Sequence, residues 1–242
     1  MLLALLIFCR SKEHQAGRNG CAIEEVWCKT DNRFKEISFN QRCSDLFSLC
    51  SEEGKDHSTT DPHDIYFAEQ VRIVSVVGDD FPESVLQDLT SRNIDLAGLE
   101  VKKGEKSFFW AGRYHNDMNS RDTLETQLNV LADFNPILPE AYKSSDFLML
   151  GNLTPDIQLS VIEQMAVKPK LIALDTMNFW MDIAMESLKK VLKRIDMLII
   201  NDEEARQLAG TYSLVTAAAI IHEMGPKFVV IKKGEHGALF FE

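Results

Sequence analysis

The chain has 242 residues, of which 45% are hydrophobic and 26% charged, enough apolar material for one large or two small domains. Its net charge of −11 and its scattered basic residues argue against a nucleic-acid or anionic-membrane surface as a partner. The apolar octet from Met1 to Phe8 has no basic flank and no small-residue cleavage site, and it is far shorter than the roughly 20 residues of a membrane span. The expected location is cytoplasmic.

All five cysteines, Cys9, Cys21, Cys28, Cys43 and Cys50, fall in the first fifty residues. Their odd number and wide spacing lack the tight knuckle of a zinc site, so free thiols in a poorly structured segment are the expectation. Residues 1–64 show no sustained helical or strand period, and stretches such as SKEHQAGRNG are polar and full of breakers. No element is expected there beyond short helical turns.

From about Ile65 apolar runs alternate with amphipathic ones. VRIVSVV (71–77), closed by Gly78, predicts a buried strand, and Pro82 opens a helix through PESVLQDLTSRN. The aromatic stretch GEKSFFWAGRYHN (104–116) predicts exposed strands or a hairpin, and RDTLETQLNVLADF predicts a helix capped by Asp122 or Thr123. Four further strands are predicted at 146–151, 170–175, 196–200 and 227–232. The helices TPDIQLSVIEQMA, WMDIAMESLKKVLKR, NDEEARQLAG and SLVTAAAIIHEMG lie between or beside them. Strand–helix units of this length predict a parallel sheet flanked by helices, with strands buried on both faces.

Ligands of such sheets sit beyond the carboxyl ends of the strands. There the sequence places GDDFPE, GNLTP, DTMNFW, NDEE and KGEHG, a polar rim drawn from distant segments. Each piece also has a local reading. Asp79 and Asp80 suit a helix start. Asn201 suits an N-cap whose box Glu203 or Glu204 completes. Asp175 with Asn178 fits turn chemistry, and Gly78 and Gly151 fit tight strand exits. Neither a P-loop nor a dinucleotide glycine fingerprint is present.

Taken in order, VVGDDFPESVLQDLTSRNIDLAGLEV, LDTMNFW, LIINDEEARQLAG and VVIKKGEHGALFF resemble the ribokinase-like carbohydrate kinases of the PfkB family, from about Val71 to Glu242. The resemblance implies an α/β fold, a ribokinase-like three-layer sandwich with a mostly parallel sheet and a partial β lid. It divides the chain into an unmatched, poorly structured segment 1–64 and an incomplete kinase domain 65–242, with lid strands at about 96–116. It implies ATP and Mg2+ as cofactors and phosphoryl transfer to a hydroxyl of a small-molecule sugar or nucleoside. By the same resemblance Asn201, Lys232, Gly234 and Gly237 bind ATP, Glu204 serves the metal, and Asp175 and Asn178 line the substrate or phosphate groove. The resemblance also places the aromatic residues from Phe108 to Tyr114 in the lid and implies a homodimer paired through it.

Three departures from that pattern carry expectations of their own. The family more often has a small hydroxyl residue where Lys232 stands. Its Gly-Ala-Gly-Asp segment, which supplies the catalytic base, would lie beyond Glu242, so the chain as written is expected to be inactive or impaired as a kinase. The alternative is a non-catalytic nucleotide-binding or regulatory remnant of the same fold. Nothing in residues 1–64 matches the family's opening strand or its Gly-Gly substrate motif. That segment is therefore expected to be foreign to the fold, through a wrong reading frame or a faulty join.

Overall fold

The computed structural model describes residues 6–10, 70–114 and 121–242. Ten strands and six α-helices are seen among them. Eight strands form the main sheet. Six of these run in one direction: β2 (Gln70–Gly78), β3 (Ile94–Lys102), β6 (Phe147–Leu150), β7 (Leu171–Asp175), β8 (Met197–Asn201) and β9 (Phe228–Lys232). Two are antiparallel to their neighbours, β1 (Leu6–Arg10) and β10 (Ala238–Phe241). The order across the sheet is β10-β9-β8-β7-β6-β1-β2-β3. A separate antiparallel ribbon pairs β4 (Phe109–Tyr114) with β5 (Arg121–Gln127).

The helices follow the strands as the βα rhythm requires. They are α1 (Glu83–Ser91), α2 (Pro155–Gln164), α3 (Asn178–Ile183), α4 (Met185–Leu192), α5 (Asp202–Ala209) and α6 (Leu214–Met224). Several starts are written in the sequence. Thr154 accepts the Ile157 amide with Pro155 at the first helical position, and Ser213 accepts the Thr216 amide. From β6 to β9 the chain steps one way across the sheet, and from β2 to β3 the other way. Right-handed crossovers then put α2–α6 on one face and α1 on the opposite one. Those are the three layers of the expected sandwich.

The core lies between the sheet and α2–α6. Leu148, Leu150, Leu198, Ile200, Val229 and Ile231 are fully buried there, with Val161, Leu188, Val191, Ala205 and Ile221 packed above them. Their strand neighbours Phe147, Met149, Met197, Ile199, Phe228 and Val230 are half-buried. Burial on both faces, as the apolar runs suggested, therefore holds in full on one face and in part on the other.

Three expectations are corrected. Residues 121–134 do not form a helix: they form β5 and, after it, a 3-10 turn at Asn129–Leu131, because the segment finds its partner in β4. Leu6–Arg10, in a region where no strand was expected, pairs on both sides, Leu6 with Val74 of β2 and with Leu150 of β6. An apolar run placed between two open strand edges is satisfied by ladder hydrogen bonds on each. The rest of residues 1–64, including four of the five cysteines, lies outside the described residues. The region expected as lid strands divides: β3 is an edge strand of the main sheet, paired in parallel with β2, and only β4 with β5 forms the ribbon.

Candidate functional site

The ribbon approaches the sheet across the exit of β2. The Gly78 amide donates to Ser107 Oγ at 3.0 Å, and the Asp79 amide donates to the Glu105 carbonyl at 3.3 Å. A Cβ at Gly78 would stand 2.2 Å from the Glu105 oxygen and 2.6 Å from the Ser107 nitrogen. Only glycine lets the two backbones approach so closely. Asp79 accepts the Gly104 amide at 2.7 Å. Asp80 Oδ1 accepts both the amide and the hydroxyl of Ser107, each at 2.7 Å. The Ser107 hydroxyl and amide hold the Asp80 carboxyl below its ordinary range. The two aspartates therefore do not start α1, whose N-cap, Pro82, carries no side-chain cap. They fasten the turn that leads into the ribbon.

Farther along the same edge, β7, β8 and β9 end side by side. Asn201 is in register with Lys232, and Asp175 with Ile199. Asn201 forms the full capping box of α5: its Oδ1 accepts the Glu204 amide at 2.8 Å, and Glu204 Oε2 accepts the Asn201 amide at 2.7 Å. Glu204 is only 4% exposed. The Lys232 ammonium reaches back across β8 to Asp175 Oδ1 at 3.5 Å.

Beyond Lys232 the chain turns through Gly234–His236 into β10. The Lys233 amide donates to the Gly237 carbonyl at 2.8 Å, and the Gly237 amide to the Gly234 carbonyl at 3.2 Å. Gly234 has φ 56° and Gly237 φ 79° with ψ −143°, the latter a conformation open almost only to glycine. Among the described residues a Cβ at Gly237 would meet nothing within 4 Å, so the turn faces open space there.

On the β6 side the rim is tied by amides. Trp180 Nε1 donates to Asn152 Oδ1 at 2.7 Å, and Asn152 Nδ2 faces the Met177 sulfur at 2.9 Å. Asn178 Nδ2 donates to Gln207 Oε1, and Gln207 Nε2 donates to Asp182 Oδ1 at 2.7 Å. Gln207 thus clamps α3 onto α5. Sequence reasoning missed this clamp and the Asn152–Trp180 bond, because both join residues far apart in the chain and neither has a local pattern. Thr176 Oγ1 and Gln158 Oε1 are buried at this edge without a hydrogen-bond partner among the described residues, positions suited to ordered water.

All the residues named from the sequence therefore gather on one edge: Asp175, Asn178, Asn201, Glu204, Lys232, Gly234 and Gly237. As a metal centre this edge is sparse. Among the described residues no group of three or more His, Cys, Asp or Glu could hold an ion, and one oxygen of Glu204 is committed to the cap. That donor set fits magnesium, which keeps several waters and is bound through one or two carboxylates together with substrate phosphates.

The profile of the pfkB family carbohydrate kinases matches residues 66–242. The chain belongs to the pfkB family. A cytidine kinase of Thermococcus kodakarensis is 27% identical to it over 176 residues, which cover 72% of this chain and 62% of that kinase. The pfkB-family chain thus spans less than two thirds of the length of that relative. Among solved structures, a putative ribokinase II of E. coli in its apo form superposes with a TM-score of 0.56 at 20% identity, over 71% of this chain and 59% of that one. The same kinase in complex with ATP and Mg2+ gives 0.53 over the same shares. The ribokinase of Thermotoga maritima gives 0.55 at 18% identity, over 71% and 56%. These likenesses establish the ribokinase-like α/β fold. Among the described residues no helix is long and apolar enough to cross a membrane.

Proposed function

We propose that this chain carries the nucleotide-binding rim of an ATP-dependent kinase that phosphorylates a hydroxyl of a nucleoside or sugar. The observation that supports this best is the convergence of three strand ends. The Asp175–Lys232 pair, the Asn201–Glu204 box and the open Gly234–Gly237 turn lie along one edge of a pfkB-family sheet. Phosphoryl transfer depends on alignment and charge neutralisation more than on covalent chemistry, and this rim offers groups for both.

In this reading the glycine turn lies against the adenosine and Lys232 faces the phosphates. Asn201 fixes the start of α5, and the carboxylate of Glu204 serves a magnesium ion through its water shell. Asp175 and Asn178 border the groove that leads to the acceptor. Bound magnesium would neutralise phosphate charge; the chain's own task is to hold and orient. The 27% identity to a cytidine kinase makes cytidine the first acceptor to offer.

Glu204→Gln tests the assignment, because glutamine can still complete a capping box while the charge is lost. Magnesium-dependent ATP affinity should fall about 10–100-fold, the usual cost of removing a group that acts on a metal from its outer shell, with the thermal midpoint nearly unchanged. Equal affinity in a calorimetric titration would reduce Glu204 to a helix cap. Absence of ATP binding by the folded parent would overturn the whole reading.

A further inference from the structure

Lys232 and Asp175 stand on strands that are not neighbours. β8 lies between them, so their strand axes are roughly 10 Å apart at the ordinary strand spacing. A 3.5 Å contact therefore requires the lysine side chain to lean over the end of β8, the place where Asn201 opens α5. The ammonium rests where the proposed phosphates would arrive, already paired with a carboxylate. Both side chains remain partly open to solvent, 46% and 28% exposed. Nearby, Lys233 precedes the glycine turn, and Glu235 and His236 within it contact each other at 3.5 Å.

We infer that the Lys232–Asp175 ion pair is a displaceable latch on the phosphate site, opened when a polyphosphate takes the ammonium from the carboxylate. The inference rests on the nucleotide reading above and adds to it a charge-dependent selection. An ion pair this exposed is weak in water. A polyphosphate carries several charges and more acceptor oxygens than one carboxylate, so it competes well for the same donor. A neutral nucleoside has nothing to exchange for the pair and leaves it closed. The latch therefore favours ligands by their phosphate charge, and Asp175 acts against binding until it is displaced. A neutral residue at 232 could form no such pair.

The test uses the full chain and three probes: metal-free tripolyphosphate, ATP with magnesium, and adenosine. Asp175→Asn should tighten tripolyphosphate and ATP by up to about fivefold, the range set by exposed ion pairs. Lys232→Thr should weaken both by about tenfold or more, as loss of a charge-assisted bond does, and Lys232→Arg should keep most of the affinity. Adenosine should bind the parent, and circular dichroism should show all four proteins folded. Unchanged or weaker tripolyphosphate binding by Asp175→Asn overturns the latch, and the kinase reading survives that result if the parent still binds ATP. A latch response to tripolyphosphate, with ATP binding no better and adenosine not at all, supports the latch and removes the nucleotide reading. A folded parent that binds none of the probes overturns both.

Discussion

The block from β6 to β9 and the ribbon β4–β5 are held by different physics. In the block, Leu174, Leu198, Ile200, Val229 and Ile231 are buried to within a few per cent and locked under α2–α6. In the ribbon, Phe109, Leu124 and nearby Leu128 are 42%, 59% and 50% exposed, and the attachment to the body runs through polar bonds of Asp79, Asp80, Ser107 and Asn129. Close packing fixes positions to fractions of an ångström, which suits the block to carry strand-end chemistry. A ribbon hung on a few hydrogen bonds can shift without disturbing the core.

The largest expected effect breaks the block. Leu198→Ala should cost about 2–5 kcal/mol, the range for emptying a tightly packed core site, whereas Leu124→Ala in the ribbon should stay within about 0.5 kcal/mol. Urea unfolding of the two variants measures the contrast, and equal losses would mean that the ribbon is packed as tightly as the block. Next in size, Gly78→Ala forces a methyl group into the Glu105–Ser107 backbone and should cost about 1–3 kcal/mol. Proteolysis should then cut within 104–127 before it reaches the sheet.

The smallest effect concerns acid. Asp80 has a folded-state pKa below its unfolded value because Ser107 bonds to its carboxylate. Its contribution is present above the unfolded value of about 3.9 and is lost as pH falls through the folded one. Because the group is largely exposed, the loss is small. Thermal midpoints measured between pH 6 and 2.5 should show a steeper acid decline in the parent than in Asp80→Asn.

What was legible in the sequence follows the same division. Each strand of the block is a short apolar run closed by polar or small residues, and α2, α5 and α6 begin with visible caps at Thr154, Asn201 and Ser213. Both the strands and the polar rim could therefore be placed, and the Asn201–Glu204 cap and the family motif turn out to be the same two residues. The ribbon misled for a definite reason. Leu124, Leu128 and Leu131 are spaced four and three apart, as on one face of a helix. Yet Leu124 and Leu128 are exposed, and cross-strand pairing with β4 overrode the apparent period. The antiparallel strand Leu6–Arg10 showed locally only as part of an apolar octet, because its place is set by two edges sixty or more residues downstream in the chain. The Gln207 clamp and the Lys232–Asp175 pair were invisible for the same reason, since amide and charge pairs across a fold leave no period.

The pairing of that first strand has a practical corollary. Arg10 lies opposite Gln70, the first rung of an antiparallel ladder, so residues 11–69 depart from and return to adjacent points. At such a junction a tight turn of two to five residues suffices to close a hairpin. A designed Asn-Gly turn joining Arg10 directly to Gln70 should therefore preserve the register of β1 against β2.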